Sequence, residues 1–111
     1  MTEISKESEK KLSQLQRLEQ SMQNLLMQKQ QFQVQQVEIE SALNELENVD
    51  EAYKIVGNIM VLSKKAGLKE DLSSKKEVVG LRVKNLEKQE NHLREKASKL
   101  QSEILKEMGQ D

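Results

Sequence analysis

Hydrophobic residues recur at alternating intervals of three and four along two long stretches of this chain. In the first stretch, about residues 3–47, they are Leu15, Leu18, Met22, Leu25, Phe32, Ile39, Leu43 and Leu46. With Leu15 at heptad position a and Leu18 at d, the frame holds to Leu46, and Lys29 and Gln36 are its polar a residues. Sustained a/d spacing predicts a helix that pairs in a coiled coil.

The second stretch, about residues 68–108, repeats the pattern. One side of its seam consists of residues seven apart: Leu72, Val79, Leu86, Leu93 and Leu100. The other side consists of Lys76, Val83, Glu90, Ala97 and Ile104. The helix is expected to start near Leu68, or at Ser74, where Ser74 and Glu77 form a capping-box pattern. Gly109 is expected to stop it.

The segment between the two helical patterns has a different character. Residues 52–63 are rich in β-branched side chains, and Gly57-Asn58 stands in the middle. A Gly-Asn pair between two short β-type runs predicts a two-residue hairpin turn, with Gly supplying a positive φ.

The predicted fold is therefore mainly α. It is one domain, 1–111, with a long antiparallel two-helix coiled coil whose helices are connected by one central β-hairpin. Folding back at the turn pairs Leu43 with Leu72 and Phe32 with Val83. A register slipped by one heptad also pairs a with d, so the spacing leaves two registers open.

Charge distribution favours pairing of the two helices. Residues 31–50 carry five acids and no base, whereas residues 64–84 carry seven bases and three acids. The whole chain of 111 residues has a net charge of only −1, so it has no general attraction to nucleic acid.

Composition excludes several other classes of protein. With no cysteine there is no disulfide framework or thiolate metal site, which fits a reducing compartment. No apolar run is long enough to span a bilayer, and the polar N-terminus does not fit a signal peptide. A two-helix coiled coil offers no concave pocket for catalysis. His92, the single histidine, is expected at the surface.

Two parts of the chain carry more apolar surface than this fold can bury. A lone hairpin is marginal in water, so its residues are expected to join strands of other chains: Tyr53, Ile55, Val56, Gly57, Asn58, Ile59, Met60 and Val61. Near the chain ends, frayed helix termini are expected to expose apolar residues as a binding surface. These terminal residues are Ile4, Leu12, Leu15, Leu100, Ile104, Leu105 and Met108.

Several motifs resemble the prefoldin family. They are the hairpin segment from Asp50 to Val61, with its Tyr-Lys-x-Val-Gly-Asn-x-x-Val core, the Gln28-Lys29-Gln30 triplet, and the stretch from Leu81 to Glu90. The resemblance covers about residues 12–108. It is greatest to the beta-type subunit of the archaeal complex, because the chain has room for a single hairpin.

This resemblance implies a cytoplasmic hexamer of two alpha-type and four beta-type subunits, whose hairpins form a β-barrel platform. It implies ATP-independent capture of unfolded proteins at the coiled-coil tips and their transfer to a group II chaperonin, with no cofactor and no enzymatic activity. Residues from Tyr53 to Val61 would then form platform strands, and the terminal apolar residues would hold clients. The alternative from the heptads alone is a coiled-coil scaffold or tether without chaperone activity.

Overall fold

A computed structural model describes residues 5–109 of the chain. Its elements are helix α1 (Lys6–Glu47), strand β1 (Ala52–Val56), strand β2 (Ile59–Ser63) and helix α2 (Lys65–Glu107). The mainly α fold with one central hairpin is confirmed. Two compact units are present, and both helices contribute to each of them. Among the described residues, the terminal unit comprises residues 5–29 and 85–109, and the hairpin unit comprises Gln30–Lys84.

In the terminal unit, the two helical segments pack through the predicted seam. Leu86, Ala97 and Ile104 are buried. The other seam residues are half-buried: Leu15, Leu18, Met22, Leu25, Leu93 and Leu100. This core is one layer thick, as heptad packing produces. Among residues 5–109, no large apolar side chain is fully buried.

A polar layer interrupts this seam at Lys29 and Glu90. The Lys29 ammonium donates to Glu90 Oε2 at 2.9 Å, and Arg94 contacts Glu90 Oε1 at 3.0 Å. The Lys29 and Glu90 side chains are only 17% and 14% exposed. The hydrogen bond from Lys29 holds the pKa of Glu90 below its ordinary value, against the opposing effect of burial. The two polar seam residues of the terminal unit thus satisfy each other.

In the hairpin unit, Leu46, Val79 and Val83 are the buried seam residues. Glu40 faces Lys76 at 3.7 Å, and the Arg82 guanidinium lies 5.5 Å from the centre of the Phe32 ring.

These contacts select the register that pairs Leu43 with Leu72. A slip of one heptad would instead place Glu40 opposite Arg82 and Phe32 opposite Glu90. The register that the spacing left open is therefore the one that pairs Leu43 with Leu72.

The hairpin has the turn that its sequence predicts. Val56 pairs with Ile59, so Gly57 and Asn58 form a two-residue loop. Gly57 has φ 62°, and no non-glycine residue among those described has a positive φ. A positive φ at the first central position alone is the geometry of a II′ turn, which twists as the strands do.

Helix α2 begins at Lys65, earlier than either predicted start, and Ser74 lies inside the helix. Lys65 Nζ donates to the Glu47 carbonyl at 3.4 Å, and Lys69 forms an ion pair with the Glu47 carboxylate. Basic side chains there satisfy the exposed carbonyl end of α1, which has no base in its own last turn. Contact with α1, rather than a local cap, therefore explains the early start of α2.

Candidate functional site

The hairpin presents apolar side chains on both of its faces. Tyr53, Ile55, Met60 and Leu62 share one face, because Tyr53 pairs with Leu62 and Ile55 with Met60. The other face holds the Val56–Ile59 and Lys54–Val61 pairs. All seven large apolar side chains, those of Tyr53, Ile55, Val56, Ile59, Met60, Val61 and Leu62, are between 46% and 70% exposed. The structure places every predicted assembly residue on this uncovered ribbon.

An open groove of about 720 Å³ runs beside β1 within the hairpin unit. Tyr53 and Ile55 line one side of it, and Leu46, Leu68 and Leu72 line the other. A groove with an apolar lining beside an unpaired strand edge suits addition of another extended segment. The hairpin and this groove together form one open apolar surface.

At the chain ends, a polar network ties the two helices together. Ser5 caps α1, since its Oγ accepts the Ser8 amide at 3.1 Å. The Ser8 hydroxyl is buried and donates to Glu107 Oε2 at 2.6 Å. Lys11 binds the same Glu107 carboxylate and lies 3.5 Å from Glu103. We call the group of Ser5, Ser8, Lys11 and Glu107 the terminal clasp.

The clasp shifts the pKa values of its charged members in opposite directions. The Lys11 hydrogen bond, and then that of Ser8, lower the pKa of Glu107. The Glu107 carboxylate raises the pKa of Lys11. At the other helix end, Gly109 has φ 74° and its amide donates to the Lys106 carbonyl, as a helix stop does. Within residues 5–109, both helix ends therefore have hydrogen-bonded caps.

The predicted terminal apolar residues differ in accessibility. Leu105 is 43% exposed, and Leu12, Leu15, Leu100 and Met108 are half-buried. Ile104 is only 5% exposed and belongs to the seam. Ile4 lies outside the described residues.

Sequence reasoning missed the clasp. Its local part, Ser5 with Ser8, follows a capping pattern that is visible in the sequence. Its partner Glu107 lies 99 residues from Ser8, and nothing in the spacing connects the two.

The described residues hold no group of three or more His, Asp or Glu side chains placed to bind a metal ion. His92 is exposed, as expected. Neither helix, over residues 5–109, contains a segment long and apolar enough to cross a membrane. The candidate surfaces for function are the hairpin and the helix ends.

A coiled coil that carries an uncovered apolar β-hairpin defines a class of subunit built to assemble with other chains. Comparison with known proteins identifies the class. Residues 9–111 match the family described as "Prefoldin subunit". The prefoldin subunit beta of Archaeoglobus fulgidus is 36% identical over 107 residues, which cover 94% of this chain and 92% of that protein. The prefoldin subunit beta of Methanothrix thermoacetophila is 33% identical over 111 residues, which cover 97% of this chain and 92% of that protein.

The fold agrees with this relationship. The crystal structure of the prefoldin beta subunit from Thermococcus strain KS-1 matches with a TM-score of 0.92 and 32% sequence identity, over 97% of each chain. The chain therefore belongs to the prefoldin family, a family of chaperones and not of enzymes. The resemblance to beta-type subunits is confirmed.

Proposed function

We propose that this chain is a beta-type subunit of a hexameric, ATP-independent holdase in the cytoplasm. Two alpha-type and four beta-type subunits would assemble through their hairpins. The complex would capture unfolded proteins at its helix ends and transfer them to a group II chaperonin. It requires no cofactor and binds neither nucleic acid nor membrane. The observation that carries the proposal is the hairpin, whose apolar side chains are uncovered on both faces.

Assembly through the hairpin follows from its exposure. Burial of apolar surface contributes about 25 cal/mol per Å², and a two-stranded ribbon has no second layer to supply it. Strands from other subunits would cover one face and pair with the open edges, and the groove beside β1 would receive their side chains. The charged Lys54, on the face with Val56, favours placing the all-apolar Tyr53 face inside the barrel.

Client capture is assigned to the accessible apolar residues near the chain ends. Leu12, Leu15, Leu100, Leu105 and Met108 offer apolar contact while the terminal clasp keeps both helix ends in place. Each contact area is small, so one subunit binds weakly. Several subunits holding one client at once raise the avidity without any new contact.

The experiment removes apolar contact at the helix ends while leaving the seam intact. In the variant Leu12→Ser with Leu105→Ser, suppression of aggregation of a chemically denatured client should fall several-fold. The complex mass, measured by light scattering, should not change. Leu26→Ser is the matched control, because the Leu26 side chain is exposed to a similar extent as that of Leu105, 40% against 43%.

Undiminished suppression by the double variant would refute the assignment of client binding to the helix ends. Mixing with an alpha-type subunit separates the holdase from a simple scaffold. A scaffold protein would not bind that subunit, whereas a prefoldin subunit should form the heterohexamer with it.

A further inference from the structure

A groove of about 500 Å³ lies along one side of the seam in the terminal unit. Both helices line it through heptad positions c, d and g, so it occupies the same flank of each helix. Its floor consists of two half-buried seam residues, Leu18 of α1 and Leu100 of α2. We call these two leucines the basic groove together with the charged residues that also line it, which are Arg17, Lys96, Lys99 and Glu103.

The positive charge of the basic groove is not neutralised within residues 5–109. Its one acid, Glu103, lies 3.5 Å from Lys11 of the terminal clasp. Lys99 precedes Glu103 by four residues on α2, yet the two form no ion pair. Among residues 5–109, no ion pair includes Arg17, Lys96 or Lys99. Three cations therefore line the groove without a carboxylate partner from the described chain.

The opposite flank of the same seam has a different charge balance. A smaller groove of about 310 Å³ lies there, at heptad positions a, b and e, and its charged residues are Glu19, Glu90 and Arg94. Arg94 contacts Glu90 at 3.0 Å, so the one base of this groove is already paired. Leu12 and Met108 also fall at e positions, on this flank. The basic groove is therefore chemically distinct from the side of the helix pair that carries these terminal apolar residues.

We propose that the basic groove selects client segments in which carboxylates adjoin an apolar side chain. The inference rests on the proposed capture of unfolded proteins at the helix ends. Leu18 and Leu100 accept the apolar side chain on the floor of the groove. The unpaired cations at its rims, one on α1 and two on α2, bind the carboxylates on either side. Nucleic acid fits poorly, because the floor is apolar and no aromatic side chain of the described residues lines the groove for a base to stack on.

Peptide binding to the complex with an alpha-type subunit tests this selection. The probes are short fluorescent peptides of equal length, in which leucine alternates with aspartate, leucine alternates with lysine, or serine alternates with aspartate. Fluorescence anisotropy should show that the leucine–aspartate peptide binds at least about fivefold more tightly than either of the others, because several exposed ion pairs act together with the apolar contact. Added salt should reduce the difference between the two leucine peptides, since it screens exposed charges.

Substitutions in α2 assign the preference to the groove. Lys96→Gln with Lys99→Gln should weaken binding of the leucine–aspartate peptide about fivefold, and Lys96→Glu with Lys99→Glu should reverse the ranking of the two leucine peptides. The matched control is Lys84→Gln with Lys88→Gln, which removes the same charge from exposed positions of the same helix outside the basic groove. Circular dichroism and light scattering check that each variant keeps its helix content and its complex mass.

Several outcomes would overturn this inference and leave the proposed function standing. They are equal affinity for the two leucine peptides, equal affinity for the two aspartate peptides, and an equal loss of affinity in the control variant. Stronger displacement of the probe by a single-stranded oligonucleotide than by unlabelled leucine–aspartate peptide would do the same, as would failure to bind any peptide by a complex that still suppresses aggregation. A complex that neither binds a peptide nor suppresses aggregation would refute the proposed function and this inference with it.

Discussion

The polar layer of Lys29 and Glu90 makes a quantitative prediction about stability. Three variants test it: Lys29→Leu, Glu90→Leu and the combination of both. Each single change leaves one charge in the seam without its partner, whereas the double change leaves none. Breaking a fully buried pair costs about 3–5 kcal/mol, and replacing the whole pair by apolar residues is often neutral or stabilising.

The structure refines these magnitudes. Exposures of 17% and 14% let some water reach both groups, so the cost falls below the fully buried range. Glu90 keeps Arg94 as a partner when Lys29 is removed, whereas Lys29 has no second partner among the described residues. We expect a loss of about 2 kcal/mol for Glu90→Leu and about 1 kcal/mol for Lys29→Leu. The double variant should stay within about 1 kcal/mol of the parent, because two leucines extend the seam.

Urea unfolding followed by far-UV circular dichroism measures all four proteins, at one chain concentration because assembly contributes to stability. The cycle should give a coupling energy of about 2–4 kcal/mol. The control cycle uses Glu40→Ala and Lys76→Ala. That pair also joins the two helices, but its side chains are 56% and 49% exposed, so its coupling should stay below about 0.5 kcal/mol. Additive effects of the two leucine substitutions would refute the reasoning.

Two further substitutions test the helix and the hairpin. Gly80→Ala should raise the free energy of unfolding by about 1 kcal/mol, because the nearest atom to an added Cβ is Gln36 Nε2 at 3.8 Å, an ordinary contact. Thermal unfolding measures this gain, and a lower melting temperature for Gly80→Ala would contradict the prediction. The control is Gly57→Ala, which should destabilise the protein because Gly57 has φ 62°. Ile59→Asp should abolish assembly with an alpha-type subunit, because assembly would bury the new charge between subunits. Met27→Asp is the control and should not affect assembly, because Met27 has a similar exposure but lies on a helix. Light scattering measures both complexes, and an unchanged mass for Ile59→Asp would rule out the hairpin as the assembly surface.

The parts of the fold that follow from local patterns could be predicted from the sequence. Leucines spaced three and four apart place the seam, and Gly57 specifies the turn because it supplies the positive φ that a II′ turn needs. The register could not be predicted, because both alternatives pair a with d. It is recognised only from the structure, through contacts such as that of Glu40 with Lys76, between residues far apart in the chain.

The same limit applies at the ends of the helices. The start of α2 was misplaced because the capping-box pattern at Ser74 is a local signal, whereas Lys65 begins the helix by contacting the end of α1. The bond from Ser8 to Glu107 could not be predicted, because nothing in the spacing connects residues 99 positions apart. The exposure of the hairpin residues could be predicted, because the composition of their segment shows more apolar surface than a two-helix fold can cover.

The single-layer seam has a consequence for the length of this molecule. Each layer of a coiled coil packs against the layers next to it, so stability is approximately a sum over layers. Removing seven residues from α1 and the matching seven from α2 would shorten the pair by about 10 Å and keep every remaining layer in frame. Neither the hairpin nor the terminal clasp would change its internal contacts. The length of the helix pair is therefore adjustable in whole heptads, separately from the hairpin and from the terminal clasp.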